Sequence, residues 1–219
     1  MTDYARQYRD LRGRVIDLVR DLDDAQVNAV APATPEWRIR DIVAHLTGVC
    51  ADVLAGNLGG VATDDWTGKQ VTDRRDVPFD ELLKEWEEKG TAIEAAIPDF
   101  PPIAAGQMVT DSVTHEQDIR GALDTPGGRD SDALDGAFRW GAMVLDGSEP
   151  LRLESEAGTA NVGEGEPVAT VRTSRFELVR SYTGRRSLDQ MRGYDWEGDP
   201  RPERLVLAIF TPRETPLVE

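Results

Sequence analysis

Tyr4, Tyr8, Leu11, Val15, Leu18 and Leu22 follow one another at intervals of 4, 3, 4, 3 and 4. Only a helix with one apolar seam produces that rhythm, and the residues between are mostly charged. The rhythm recurs. Ile42, Leu46, Val49 and Val53 mark a second helix beginning near Trp37 and fading at Gly56–Gly60. Phe79, Leu82, Trp86, Ile93 and Ile97 mark a third, opened by Pro78 and stopped by Pro98. A fourth is expected over about 104–123, and a shorter fifth over about 132–145, with Leu134, Phe138 and Leu145 inward. Asn28–Thr34 reads as a loop. The polar, Gly/Asp-rich stretch 57–77 reads as a long loop or lid containing Trp66.

After Asp146-Gly147 the pattern changes. Leu151 and Leu153 alternate with charges, and Val168–Val171 is short and partly β-branched, so strands are expected. Ser174-Arg-Phe-Glu177 and Ser187-Leu-Asp-Gln190 each carry the signature of a capped helix start. The run 205–210 suits either a strand or a helical turn. The expected organisation is a helical domain over 1–147 and a small α+β domain over 148–219.

The 219 residues include 41 acidic and 25 basic ones, a net charge of −16. Phosphate backbones and anionic membrane surfaces need clustered Lys and Arg. Here the basic residues are dispersed, Arg185 and Arg186 being no more than an adjacent pair, so neither nucleic acid nor membrane is an expected partner. The start MTDYARQYRD has no apolar core of a signal peptide. The longest strictly apolar run is Leu205–Phe210, far short of the ~20 residues that span a bilayer. A cytoplasmic protein, monomer or homodimer, is expected. The single cysteine, Cys50, excludes an internal disulfide and any multi-cysteine zinc site. Chemistry must come from carboxylates, arginines and the two histidines, or from something bound.

Both histidines fall on inward or near-inward helix positions. A helix turns about 100° per residue, which puts His115 about 40° and Asp118 about 20° from Asp111. All three share a stripe with Met108, Ile119 and Ala122. A carboxylate and an imidazole on a core-facing stripe need partners. His45 flanks the seam of the second helix. If the second and fourth helices are neighbours, His45 meets Asp111 and His115. Two imidazoles and a carboxylate with one open position suit catalytic zinc or another divalent transition metal. The same pattern also suits a buried Asp–His hydrogen-bonded pair without metal.

Thr34-Pro35-Glu36-Trp37 followed by Asp41-Ile-Val-Ala-His45-Leu46 resembles the first signature of the mycothiol-dependent maleylpyruvate isomerase family, among the DinB-like metal-binding bundles. Asp111, followed by His115-Glu-Gln-Asp118-Ile-Arg120, resembles its second. Phe176–Arg180, Thr183–Ser187 and Asp195–Pro200 resemble the C-terminal domain common in actinobacterial members. The resemblance implies a mainly α fold: a DinB-like up-down four-helix bundle with a small C-terminal α+β domain. It implies His45, Asp111 and His115 as metal ligands, with zinc the usual metal. The founding enzyme has Glu at the position of Asp111, so here the ion would sit closer to the fourth helix, or a water would intervene. It also implies mycothiol as co-substrate, and isomerisation or thiol transfer on a small electrophile. Asp118 is a candidate to orient a ligand histidine, or to pair with an arginine. Arg120, Arg185 and Arg186 are candidates to bind substrate carboxylates, or to pair with the abundant acidic residues. Cys50 lies about 140° around the helix from His45 and reads as a small core residue, as Trp37 reads as a packing residue. A thiol-independent metal hydrolase and a non-catalytic metal- or ligand-binding bundle are the competing readings.

Overall fold

The computed structural model describes residues 2–219. The chain forms two compact units, one ending at Pro126 and the other spanning Gly127–Glu219.

The first unit is a four-helix bundle. Helix α1 (Tyr4–Val19) starts where the Asp3 carboxylate accepts the Arg6 N–H. The short α2 (Asp24–Val27) carries a full capping box between Asp23 and Gln26. The expected loop 28–34 is in part a small antiparallel ribbon, β1 (Val30–Ala31) with β2 (Thr34–Arg38). Helix α3 (Ile39–Ala55) ends on Gly56, whose φ of 74° suits a left-handed cap. The stretch 57–77 is not all loop, because α4 (Asp64–Asp73) forms within it. The Thr63 hydroxyl caps it and Asp64 and Asp65 occupy its first turn, both favourable at a helix N-terminus. Its one buried residue, Gln70, is polar, so an apolar rhythm does not reveal it. Helix α5 (Phe79–Ala96) runs into a 3-10 turn at Ile97–Asp99. Helix α6 (Pro102–Ala122) opens on a proline, whose missing N–H has no intrahelical partner to lose at that point.

The long helices close a ring in the order α1, α5, α3, α6. Tyr8 meets the Trp86 indole and Arg12 meets Glu94, so α1 and α5 run in the same direction. Tyr8, Leu11, Val15, Ile42, Leu46, Leu82, Trp86, Ile93, Val109 and Val113 fill the interior. Each such aliphatic side chain contributes ~1.5–3 kcal/mol by leaving water. The adjacency that matters is α3 beside α6.

The second unit is α+β. Helix α7 (Asp132–Val144) belongs to it, so the division falls at 126/127 rather than at the expected 147/148. Apolar periodicity identifies α7 as a helix but not its packing partner. That partner is α8 (Arg175–Tyr182), whose Tyr182 ring lies where a side chain on Gly141 would be. Strands β3 (Leu151–Ser155), β4 (Gly158–Val162), β5 (Ala169–Arg172) and β6 (Asp195–Glu197) form a sheet ordered β4-β3-β5-β6. The pairs β3/β4 and β5/β6 are antiparallel and β3/β5 is parallel. Leu151, Leu153, Val162 and Val171 bury one face. Helix α9 (Leu188–Arg192) carries the expected capping box. At α8 only half of the box forms: Ser174 caps Glu177, while the Glu177 carboxylate turns to Arg186. In the run 205–210, Leu205 closes a 3-10 turn at Pro202–Leu205 and the rest is neither strand nor helix. No helix among the described residues is long and apolar enough to cross a membrane.

Candidate metal centre

The corner between β2 and α3 is fixed first. The buried Asp41 carboxylate accepts the Arg38 backbone N–H at 2.9 Å and the Arg38 guanidinium at 2.8 and 2.9 Å. Burial raises the pKa of Asp41, and the Arg38 interactions outweigh it, holding the carboxyl below its usual range. This clamp sets the entry of α3 and with it Trp37. The Trp37 ring lies 5.0 Å from the His45 ring and 5.6 Å from the His115 ring, centroid to centroid. Trp37 therefore walls the site, a role beyond the packing expected of it.

His45, Asp111 and His115 come together between α3 and α6, with one donor atom from each within 4.8 Å of the others. Both imidazoles are buried, at 2% and 5% exposure, whereas the Asp111 side chain is 31% exposed and marks the side open to solvent. Asp111 Oδ1 lies 3.5 Å from His45 Nε2 and 3.7 Å from His115 Nε2. A tetrahedral ion with bonds of about 2.1 Å separates its donors by about 3.4 Å. The aspartate oxygen is therefore spaced from both imidazoles about as such an ion would require.

The far nitrogens decide which protons point inward. His115 Nδ1 lies 3.0 Å from Asp118 Oδ2, and a fully buried carboxylate at that distance takes the Nδ1 proton. His45 Nδ1 lies 2.8 Å from Gln70 Oε1. The Gln70 amide cannot be reversed there, because its Nε2 donates to Asp52 Oδ2 at 2.7 Å. The network therefore assigns the proton to Nδ1 in both rings, leaving both Nε2 lone pairs facing the Asp111 carboxylate. Burial lowers the His115 pKa, the neighbouring carboxylates only partly opposing it, so the neutral ring is favoured. Three electron-pair donors facing one another repel unless a proton or a metal ion lies among them. The donor set fits a divalent transition metal. Asp118 stands where a carboxylate would orient His115 as a ligand. Gln70 and Asp52 were not among the expected site residues, and the N-terminal signals at Thr63–Asp65 were the only trace of the helix carrying Gln70.

The candidate substrate arginines each have protein partners. Arg120 donates to the buried Glu116 at 3.1 and 3.0 Å, and Glu116 also pairs with Arg14 at 2.9 Å. In the second unit, Arg185 donates to the Thr183 carbonyl at 2.6 Å. Arg186, 2% exposed, is enclosed by Glu177 and Glu219. Cys50 Sγ lies 2.9 Å from the Tyr8 hydroxyl, and burial pushes the thiol pKa up to about 11. It is not a nucleophile at neutral pH.

The model of the mycothiol maleylpyruvate isomerase N-terminal domain matches residues 8–125. That span holds the bundle helices, α1 from Tyr8 onward, and all three donors. Two solved structures share the fold across 83% of this chain and 88% of theirs. One is a mycothiol-dependent maleylpyruvate isomerase, at 15% identity and a TM-score of 0.54. The other is a histidine-to-alanine mutant of such an enzyme, at 13% identity and a TM-score of 0.56. No curated protein matches. With a family model covering more than half of its length, and a bundle of the same fold, the chain belongs to the mycothiol maleylpyruvate isomerase N-terminal domain family.

Proposed function

We propose that this protein is a divalent-metal-dependent enzyme that uses a low-molecular-weight thiol, mycothiol, to isomerise or thiolate a small electrophile of the maleylpyruvate kind. The observation that carries the reading is the inward convergence of two imidazole Nε2 atoms and one carboxylate oxygen, with both Nδ1 protons already committed to other acceptors. His45, Asp111 and His115 would hold the ion, most readily zinc. When bound, the metal supplies a Lewis acid that lets a thiol ionise near neutral pH.

The chain's own groups fit the remaining tasks. Asp111, the exposed member of the set, leaves the open coordination position on the solvent side. Trp37 covers both imidazoles and keeps water off that flank. Asp118 and Gln70 hold the rings in one orientation. Cys50, buried and protonated, cannot serve as the nucleophile, so the thiol comes from outside. An added thiolate forms a C–S bond and turns the cis double bond into a single one. Rotation and loss of the same thiolate leave the trans isomer, with the thiol regenerated.

The test is turnover of maleylpyruvate by zinc-loaded protein with and without mycothiol. The expected result is isomerisation that depends on the thiol. Conversion of an electrophile at the same rate in its absence would contradict the reading and favour a hydrolase. Stoichiometric zinc without any turnover would favour a binding protein.

A further inference from the structure

Helix α4 is mostly polar and exposed, and it buries a single side chain, Gln70, which is 2% exposed. The place where it docks is unusual. An ideal Cβ on Gly48 of α3 would lie 2.4 Å from the Gln70 Cβ, 2.6 Å from its Cγ and 3.2 Å from Arg74 Nη1. The contact falls on the root of the Gln70 side chain, which cannot swing away. Any residue larger than glycine at 48 therefore pushes the whole of α4 outward. The C-terminal end of α4 is fixed as well, by the Arg74–Glu85 ion pair with α5 at 2.6 Å. The Gln70 amide then bridges two residues of α3: it accepts from His45 Nδ1 and donates to Asp52.

We infer that Gln70, delivered by the close approach of α4 at Gly48 and oriented by Asp52, is a positioning residue that keeps His45 in the Nδ1–H tautomer, with its Nε2 lone pair aimed at Asp111 and His115. The metal role of this lone pair rests on the reading under Proposed function. The tautomer does not, and it can be measured in metal-free protein. An amide is the acceptor that suits this ring. Asp111 and Asp118 already bring two negative charges, matching a divalent ion, and a third carboxylate would oppose an incoming thiolate. By linkage, a metal that requires the Nδ1–H tautomer also stabilises α4 on α3.

The chain has two histidines, so imidazole 15N NMR of the full-length metal-free protein resolves both rings. In wild type both are expected as Nδ1–H. In Gln70→Leu, His45 loses that tautomer while His115, held by Asp118, keeps it. Gly48→Ala, which removes no polar group but displaces the root of the Gln70 side chain, gives the same change. The double variant Gln70→Glu/Asp52→Asn rebuilds the relay with its polarity preserved and restores the tautomer. Zinc affinity, read by competition with a chromogenic chelator, falls roughly 10–100-fold in Gln70→Leu and Gly48→Ala, and recovers in the double variant. Should Gln70→Leu fail to fold by circular dichroism, Gly48→Ala and the double variant carry the comparison. An unchanged His45 tautomer in Gly48→Ala or folded Gln70→Leu overturns the inference, whatever happens to zinc. The expected tautomer changes in a wild-type protein that binds no zinc would instead uphold the role of Gln70 and remove the metal reading.

Discussion

The bundle and the α+β unit each bury a polar cluster, and the two are arranged oppositely. In the α+β unit, Arg180 and Arg186 are 0% and 2% exposed. The Glu219 carboxylate joins them at 2.6 and 2.9 Å, and Glu177 closes on Arg186 and accepts the Tyr194 hydroxyl. Two cations meet two anions, and the charges cancel inside the cluster. In the bundle, His45 and His115 have their outer nitrogens satisfied by Gln70 and Asp118, while their inner nitrogens face the Asp111 carboxylate. The first cluster is complete with protein atoms alone. The second is a donor set that a divalent cation would fit. Burial of polar groups therefore does not by itself mark function; the sign of what faces what does.

The largest expected effect lies in the histidine cluster. Structural zinc sites gain about 10–16 kcal/mol from four ligands, so one ligand is worth about 2.5–4 kcal/mol. His115→Ala is expected to weaken zinc binding roughly 100- to 1000-fold in a chelator competition, leaving the helical circular dichroism signal in place. Affinity within the wild-type range would erase the contrast. The closed cluster responds in stability instead. Glu219→Gln keeps the shape but leaves two buried guanidinium groups with a single carboxylate, and about 3 kcal/mol of stability should be lost by denaturant unfolding. Zinc affinity should stay at the wild-type value.

Acid sharpens the same comparison. Burial raises the Glu177 pKa, but Arg186 chiefly, with Tyr194 and Arg180, outweighs it and holds the carboxyl below its ordinary value of 4.5. The folded state thus binds fewer protons than the unfolded state in this range. Its contribution is fully present above about pH 4.5 and is lost as pH falls through the lower folded value. Unfolding of the wild type between pH 6 and 3 should show that loss, and Glu177→Gln should flatten it. The smallest effects concern residues beside the site. Nickel or cobalt should quench part of the tryptophan fluorescence, and Trp37→Phe should remove the larger share, since Trp37 lies against both imidazoles. Cys50→Ala should leave zinc content and thiol-dependent turnover unchanged, and native Cys50 should resist alkylation at neutral pH.

The long helices were legible because each carries an apolar seam of helical period: Tyr8, Leu11 and Val15 in α1, and Leu82, Trp86 and Ile93 in α5, are all buried. The same logic identified His45, Asp111 and His115 as a set, since polar groups stand out on such stripes. It was blind to α4, whose only buried residue is a glutamine, and to Gly48, whose importance lies in the side chain it lacks. It misjudged the company kept by α7, because a seam announces a buried face without naming the surface that covers it. For Arg120, Arg185 and Arg186 it left open whether they bind substrate or pair with acidic residues. A sequence shows charges, but not that Glu116, Glu177 and Glu219 lie close enough to pair with Arg120 and Arg186.

The proposed function depends on His45, Asp111 and His115 holding a divalent ion. Elemental analysis of the full chain, purified without a polyhistidine tag, tests it most directly when run beside Asp111→Ala. About one divalent transition-metal ion per chain in the wild type, falling to background in the variant, is the predicted result. A wild type that is folded, metal-free and unable to take up zinc, nickel or manganese on dialysis would contradict the account.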